Sequence, residues 1–139
     1  MGDIGGTNAR FALLDEGTGS IGPLHRVKLD DFSDVAGAIS AFLAAHAEGR
    51  TPRGAVLAAA GPVSGNRARL TNRGWTVDGA EIAAALGMGA VRVVNDFAAM
   101  SWSLPELTPA DLFPLGGGAG EPGEPMAVLG PGTGLGVGA

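Results

Sequence analysis

The chain has no cysteine and no tyrosine, and Lys28 is its single lysine. The missing cysteines exclude disulfide bonds, thiolate metal sites and a cysteine nucleophile within this sequence. Its net charge of −5 argues against the positive surface that nucleic-acid binding requires. No apolar run approaches the roughly 20 residues of a membrane helix, and no basic-then-apolar signal peptide opens the sequence. We therefore expect a soluble, cytoplasmic protein with neither a nucleic-acid nor a membrane partner.

Apolar residues make up 45% of the chain and glycines number 25, which is typical of a folded core with many turns. Ser33 is expected to cap a helix that ends near Glu48, and Asp78 with Glu81 resembles a capping box for a second, short helix. A third helix is expected over 97–104. Strands are expected at 11–15, 24–30, 54–63, 91–94 and 126–129, and the run at 54–63 is typical of a strand buried on both faces. Residues 66–75 read as a polar loop or hairpin. This alternation of strands and helices predicts an α/β domain on a mixed sheet.

A glycine-rich turn near the start of the chain is the strongest chemical signal, and its sequence is Gly2-Asp3-Ile4-Gly5-Gly6-Thr7-Asn8-Ala9-Arg10. Glycines there can adopt positive φ and let backbone N–H groups approach an anion. The carboxylate of Asp3 would repel a bare phosphate but suits a phosphate that carries Mg²⁺. We interpret the segment as a nucleotide-phosphate turn. The alternative is an ordinary hairpin turn, which would not by itself require Asp3, Thr7, Asn8 and Arg10 together.

A second glycine turn, at 130–136, follows another predicted strand and could hold the same polyphosphate from the other side, or could be a simple hairpin. Asn95 and Asp96 stand at the carboxyl end of a predicted strand, where open α/β sheets bind ligands. They could hold sugar hydroxyls, and the carboxylate could take a proton from a primary alcohol. The plainer alternative is that Asp96 caps the following helix. Asn72 and Trp75 could line a sugar pocket or belong to a surface hairpin.

In order along the chain, these segments resemble the bacterial glucokinase family of the hexokinase–actin ATPase superfamily. The resemblance is carried by the opening turn and by Ala59-Ala60-Gly61-Pro62-Val63, Leu70-Thr71-Asn72-Arg73-Gly74-Trp75, Val94-Asn95-Asp96-Phe97 and Leu129-Gly130-Pro131-Gly132-Thr133-Gly134-Leu135-Gly136. It implies a mixed five-stranded, RNase H-like sheet with flanking helices, as in the small domain of actin-like ATPases, without the second lobe. Residues 1–139 would then be one N-terminal sugar-kinase lobe, truncated at both ends and inactive alone.

The same resemblance implies a role for each candidate residue. The ATP-phosphate ligands would be Gly2, Asp3, Ile4, Gly5, Gly6, Thr7, Asn8 and Arg10 in the first loop and Gly132, Thr133 and Gly134 in the second. Asp3 would face Mg²⁺ through water. Glucose would be bound by Asn72, Asn95 and Asp96, with Asp96 as the base toward its 6-hydroxyl. The full-length parent enzyme would phosphorylate glucose with ATP, and it could form a homodimer.

Two other interpretations stay open at this point. One is a related kinase acting on N-acetylmannosamine, fructose or allose. The other is a protein of the same fold without the chemistry, either a sugar-sensing regulator or an ATPase-like scaffold. The presence of both Asp3 and Asp96 favours catalysis.

Overall fold

The structure is a computed structural model that describes residues 1–70, 73–118, 120–121, 123–131 and 135–139. The chain forms two compact units, Met1–Asp96 and Phe97–Ala139. The first unit contains strands β1 (Gly2–Ile4), β2 (Asn8–Phe11) and β3 (His25–Lys28), helix α1 (Val35–His46), strands β4 (Gly54–Ala59), β5 (Val63–Ser64), β6 (Arg67–Arg69) and β7 (Thr76–Asp78), helix α2 (Gly79–Leu86) and strand β8 (Ala90–Asn95). Helix α3 (Asp96–Ser103) begins at the boundary, and the second unit adds strands β9 (Val128–Pro131) and β10 (Leu135–Gly138).

The main sheet has five strands in the order β3-β2-β1-β4-β8. Strands β1, β2 and β3 form an antiparallel meander, whereas β4 is parallel to both β1 and β8. This mixed sheet with its flanking helices confirms the predicted fold class. Strands β3 and β4 are shorter than the expected 24–30 and 54–63. The expected bounds of β2 were wrong: it spans Asn8–Phe11, not 11–15, because the connection after β1 is short and pairing resumes at once, with Ala9 opposite Ile4.

Strand β4 is not buried on both faces, contrary to the prediction from its apolar run. Leu57 and Ala59 are buried, but Val56 is 47% exposed. Both helices of this unit contribute to the same cluster as Leu57, through Phe42 of α1 and Ile82 of α2, so one face of the sheet carries the core. A run of apolar residues indicates a hydrophobic strand, but it does not indicate whether one or both faces of that strand are covered by other elements.

Helix α1 turns its predicted apolar face inward, with Val35, Ile39 and Phe42 buried. Its N-cap is Asp34 and not Ser33, since the Asp34 carboxylate accepts the N–H of Gly37 at 2.7 Å. Ser33 instead donates its hydroxyl to that carboxylate at 3.3 Å. Two adjacent residues could each cap the helix, and sequence gave no means of choosing between them.

Strands β5, β6 and β7 form a small antiparallel sheet. The polar segment expected as a loop or hairpin contributes β6 and leads into β7, its antiparallel partner, so the hairpin alternative is confirmed. Asp78 caps α2 by accepting the N–H groups of Ala80 and Glu81, and Gly87 ends the helix with φ 66°, as predicted. Arg67 also hydrogen-bonds to the Asp78 carboxylate. That bond and the N–H of Glu81 lower the pKa of Asp78 below its ordinary value.

In the second unit, β9 and β10 pair as an antiparallel hairpin with Pro131 opposite Leu135. The first of these strands begins two residues later than expected from the sequence. Glycine is required at position 136 because a Cβ there would lie 1.9 Å from the Phe97 ring. Helix α3 begins at Asp96, one residue earlier than predicted.

Candidate functional site

The three parallel strands of the main sheet, β1, β4 and β8, have their carboxyl ends side by side in register. Ile4 pairs with Ala59, and Ala59 pairs with Asn95. Neighbouring strands lie about 4.8 Å apart, so Ile4 and Asn95 are separated by about 10 Å across β4. The first glycine turn leaves one of these strand ends and Asp96 leaves another. The sheet therefore brings the predicted phosphate turn and the predicted catalytic carboxylate to the same edge, where α/β sheets bind ligands.

The first turn is a tight hairpin, as predicted, but its glycines act differently from the expectation. Gly5 lies outside the positive-φ region, and its N–H donates to the Asn8 carbonyl at 3.0 Å. A Cβ at Gly5 would stand 3.1 Å from that same carbonyl oxygen, so close backbone approach and not handedness favours glycine there. The Gly5 N–H is thus committed to the turn itself. The Thr7 carbonyl accepts the N–H of Leu29 at 3.0 Å, which holds the turn against the start of a 3-10 segment.

The predicted phosphate ligands do not all reach the surface of this turn. Ile4 is fully buried, and Gly2 lies within β1, where a Cβ would crowd the Phe11 ring at 2.8 Å. Those two residues serve the sheet, and any contact with a ligand would have to come from their backbone. Thr7 is exposed, and Asn8 is half-buried at the start of β2.

Asp3 and Arg10 face each other across β1 and β2 and form an ion pair with an N–O distance of 3.0 Å. Their side chains are 50% and 53% exposed, so water screens the attraction and the pair contributes little to stability. Within the described residues, no three His, Asp or Glu side chains gather into a metal site. A single accessible carboxylate nevertheless fits Mg²⁺ that arrives on a nucleotide, because this ion keeps most of its waters and takes other ligands from phosphates.

Asn95 and Asp96 form the second half of the site. The Asn95 amide donates one N–H to the Gly61 carbonyl and the other to Oδ1 of Asp96, both at 2.9 Å. Gly61 has φ 136°, a conformation that L side chains rarely adopt. Asp96 is half-buried as the first residue of α3, and the hydrogen bond from Asn95 orients its carboxylate.

Four of the predicted site residues, Asn72, Gly132, Thr133 and Gly134, lie outside the described residues. Sequence reasoning missed Arg73, whose Nε donates to the Gly6 carbonyl at 2.6 Å. The two residues are 67 positions apart, so no local pattern could have linked them.

The first unit also contains a cavity of about 850 Å³ whose lining includes Met1, Leu13, Ile21, Val56 and Leu57. None of the candidate phosphate, sugar or catalytic residues lines it. In the part of the chain that the structure describes, no helix has the length and apolar character to cross a bilayer.

A family model described as glucokinase matches residues 1–139. The chain is 45% identical to a glucokinase of Paramagnetospirillum magneticum and 42% identical to one of Nitrobacter hamburgensis, in each case over 100% of the chain and 43% of the relative. A crystal structure of glucokinase from an Antarctic psychrotroph superposes with a TM-score of 0.81 at 34% identity, covering 98% of the chain and 44% of that protein. The chain thus spans less than half the length of these relatives. A match along its whole length and the shared fold together show that the chain belongs to the glucokinase family.

Proposed function

We propose that the full-length protein transfers the γ-phosphoryl group of ATP to the 6-hydroxyl of glucose, giving glucose 6-phosphate and ADP. This chain would contribute the N-terminal lobe with the first phosphate turn and the catalytic base. The observation that carries the proposal is the in-register ending of β1, β4 and β8, which sets the two candidate groups on one edge of the sheet. Phosphoryl transfer depends mainly on positioning and charge neutralisation, and that arrangement suits both.

Asp96 is the proposed general base. As O6 of glucose attacks the γ-phosphorus, the hydroxyl proton passes to the Asp96 carboxylate and the bond from phosphorus to the ADP oxygen breaks. The hydrogen bond from Asn95 to Oδ1 of Asp96 holds the carboxylate in one orientation. A base held in this way loses little entropy when the substrate binds.

Asp3 is the proposed contact to the metal, through water. When bound, Mg²⁺ would neutralise charge on the β- and γ-phosphate oxygens. Asp3 suits this role because its carboxylate is accessible and its ion pair with Arg10 is half-exposed. Replacing the contact with Arg10 by a contact with hydrated Mg²⁺ would therefore cost little. Arg10 would then be available to the phosphates. We place Gly132, Thr133 and Gly134 in the second phosphate loop and Asn72 among the glucose ligands, on family resemblance.

The partners proposed are the two small substrates, glucose and ATP, in the cytoplasm. The net charge of −5 argues against nucleic acid. From the family resemblance we also propose that the full-length protein forms a homodimer and that residues 1–139 form a single lobe of it.

The test is a sugar-dependent ADP-release assay on the full-length protein with MgATP. Glucose, fructose, allose and N-acetylmannosamine are compared, and glucose is expected to give the highest kcat/KM. A higher kcat/KM with another sugar would contradict the glucose assignment. Sugar-independent release of ADP, or none, would contradict the kinase assignment itself.

A further inference from the structure

The side chain of Arg73 joins two parts of the first unit that are far apart in sequence. Its Nε donates to the Gly6 carbonyl at 2.6 Å, and its terminal nitrogen pairs with the carboxylate of Asp30. The guanidinium carbon also lies 5.0 Å from the ring centroid of Trp75, within cation–π range. These three contacts leave the Arg73 side chain only 16% exposed. A charged side chain that is so well enclosed and so fully engaged is held in one conformation.

The Gly6 contact bears directly on the shape of the first turn. In a trans peptide the carbonyl and the following N–H point in opposite directions. Fixing the Gly6 carbonyl on Arg73 therefore directs the Thr7 N–H away from the guanidinium. The Thr7 carbonyl is itself fixed by the N–H of Leu29 at 3.0 Å. Two successive peptide planes of the turn are thus oriented before any ligand arrives, which is what an anion-binding turn requires.

The backbone of Arg73 is also held by hydrogen bonds to nearby residues. The N–H groups of Arg73 and Gly74 both donate to the Leu70 carbonyl, and the Leu70 N–H donates to the Trp75 carbonyl at 2.8 Å. Leu70 is 1% exposed, so the segment is anchored in the core. Arg73 directly follows Asn72 in the chain, the residue proposed above as a glucose ligand.

We propose that Arg73 is a positioning residue that orients the first phosphate turn from the segment proposed to bind the sugar. The inference rests on the proposed function for the identity of the two ligands. Arg73 touches neither the reacting atoms nor, by this account, the phosphates. It acts through the Gly6 carbonyl.

Arginine suits this position better than lysine because its planar group offers donors in different directions and stacks on an indole. The ammonium group of lysine could contact either Asp30 or the Gly6 carbonyl. It could not make both contacts with separate nitrogens, and it has no planar group to stack on the Trp75 indole. The Arg73→Lys variant should therefore keep the positive charge without restoring the orientation of the first turn.

The experiment compares Arg73→Gln and Arg73→Lys with wild type in the full-length protein, and uses Arg69→Gln, an exposed arginine on β6, as a matched control. We expect KM for MgATP and the calorimetric dissociation constant of MgADP to rise about 10-fold in both Arg73 variants, the effect of losing about one charged hydrogen bond. We expect kcat to change less than KM, and the control to match wild type. A residue with a merely structural role would lower the folded fraction and leave both constants unchanged per folded molecule.

The Asp30→Asn variant keeps the test decisive if the Arg73 variants fail to fold, since it weakens the ion pair and leaves the Nε donor in place. We expect it to shift the MgADP constant in the same direction by a smaller factor. Unchanged MgADP binding in every folded variant at these two positions would overturn the inference. Nucleotide binding does not require turnover, so a wild-type protein that binds MgADP but phosphorylates no sugar would instead contradict the proposed function.

Discussion

The side chain of Asn66 acts as a substitute strand partner for the outer edge of the main sheet. Its Nδ2 donates to the Val91 carbonyl at 2.9 Å, and its Oδ1 accepts the N–H of Val93 at 2.7 Å. Both contacts are on β8, the edge strand that ends in Asn95. The backbone of Asn66 has φ 64°, a left-handed conformation that asparagine tolerates better than most residues. Replacing Asn66 should therefore destabilise the strand that presents Asp96.

Two substitutions separate the side-chain effect from the backbone effect. Asn66→Gly keeps the left-handed backbone but removes both hydrogen bonds, at about 1 kcal/mol each, so a loss of about 2 kcal/mol is expected. Asn66→Ala removes the same bonds and keeps a Cβ in the left-handed region, which costs about 1 kcal/mol more than glycine at that position. The predicted order of stability is wild type, then Asn66→Gly, then Asn66→Ala.

The free energy of unfolding is measured by urea denaturation of the full-length protein, and hydrogen–deuterium exchange of the peptide covering β8 localises the effect. Faster exchange at Val93 is expected in both variants, because its N–H loses the Asn66 acceptor. A change within about 0.5 kcal/mol for Asn66→Gly is ordinary for a surface substitution and would refute the reasoning. Equal stability of the two variants would refute the backbone part alone.

Two further predictions concern acidic residues. Because the hydrogen bond from Arg67 and the amide N–H of Glu81 lower the pKa of Asp78, ionised Asp78 stabilises the fold above about pH 4, and this stabilisation is lost as pH falls through the lowered pKa. The urea midpoint of Asp78→Asn should therefore fall less steeply than that of wild type on the acid side, and parallel curves would count against the assignment. Asp3→Ala should raise the Mg²⁺ concentration needed for half-maximal activity, whereas Asp31→Ala, an exposed carboxylate, should not; an unchanged magnesium dependence in Asp3→Ala would remove Asp3 from the metal site.

Local signals in the sequence predicted the elements that depend on local hydrogen bonds. Asp78 and Gly87 were recognised as the two ends of α2 because a helix cap and a left-handed stop involve residues within one turn. The opening hairpin was predicted for a similar reason, although the start of β2 was not. Its start depends on simultaneous pairing with β1 and β3, which a linear pattern does not contain.

The candidate site was predicted only in part, because its organisation comes from contacts between distant segments. Asp3 and Asp96 were found as residue types at strand ends, and the resemblance to a family supplied their proposed roles. The alignment of Ile4 with Ala59 and of Ala59 with Asn95 requires the sheet order, which the sequence did not contain. Arg73 was missed for the same reason, since its partner Gly6 lies 67 positions earlier in the chain.

The most direct test of the central claim is the turnover of Asp96→Asn in the full-length protein, measured with saturating MgATP alongside calorimetric glucose binding. Asparagine keeps the size of the side chain and a hydrogen-bonding oxygen but cannot accept the hydroxyl proton. If Asp96 is the base, kcat should fall by roughly 100- to 10,000-fold while glucose binding stays measurable. Turnover close to that of wild type would contradict the account.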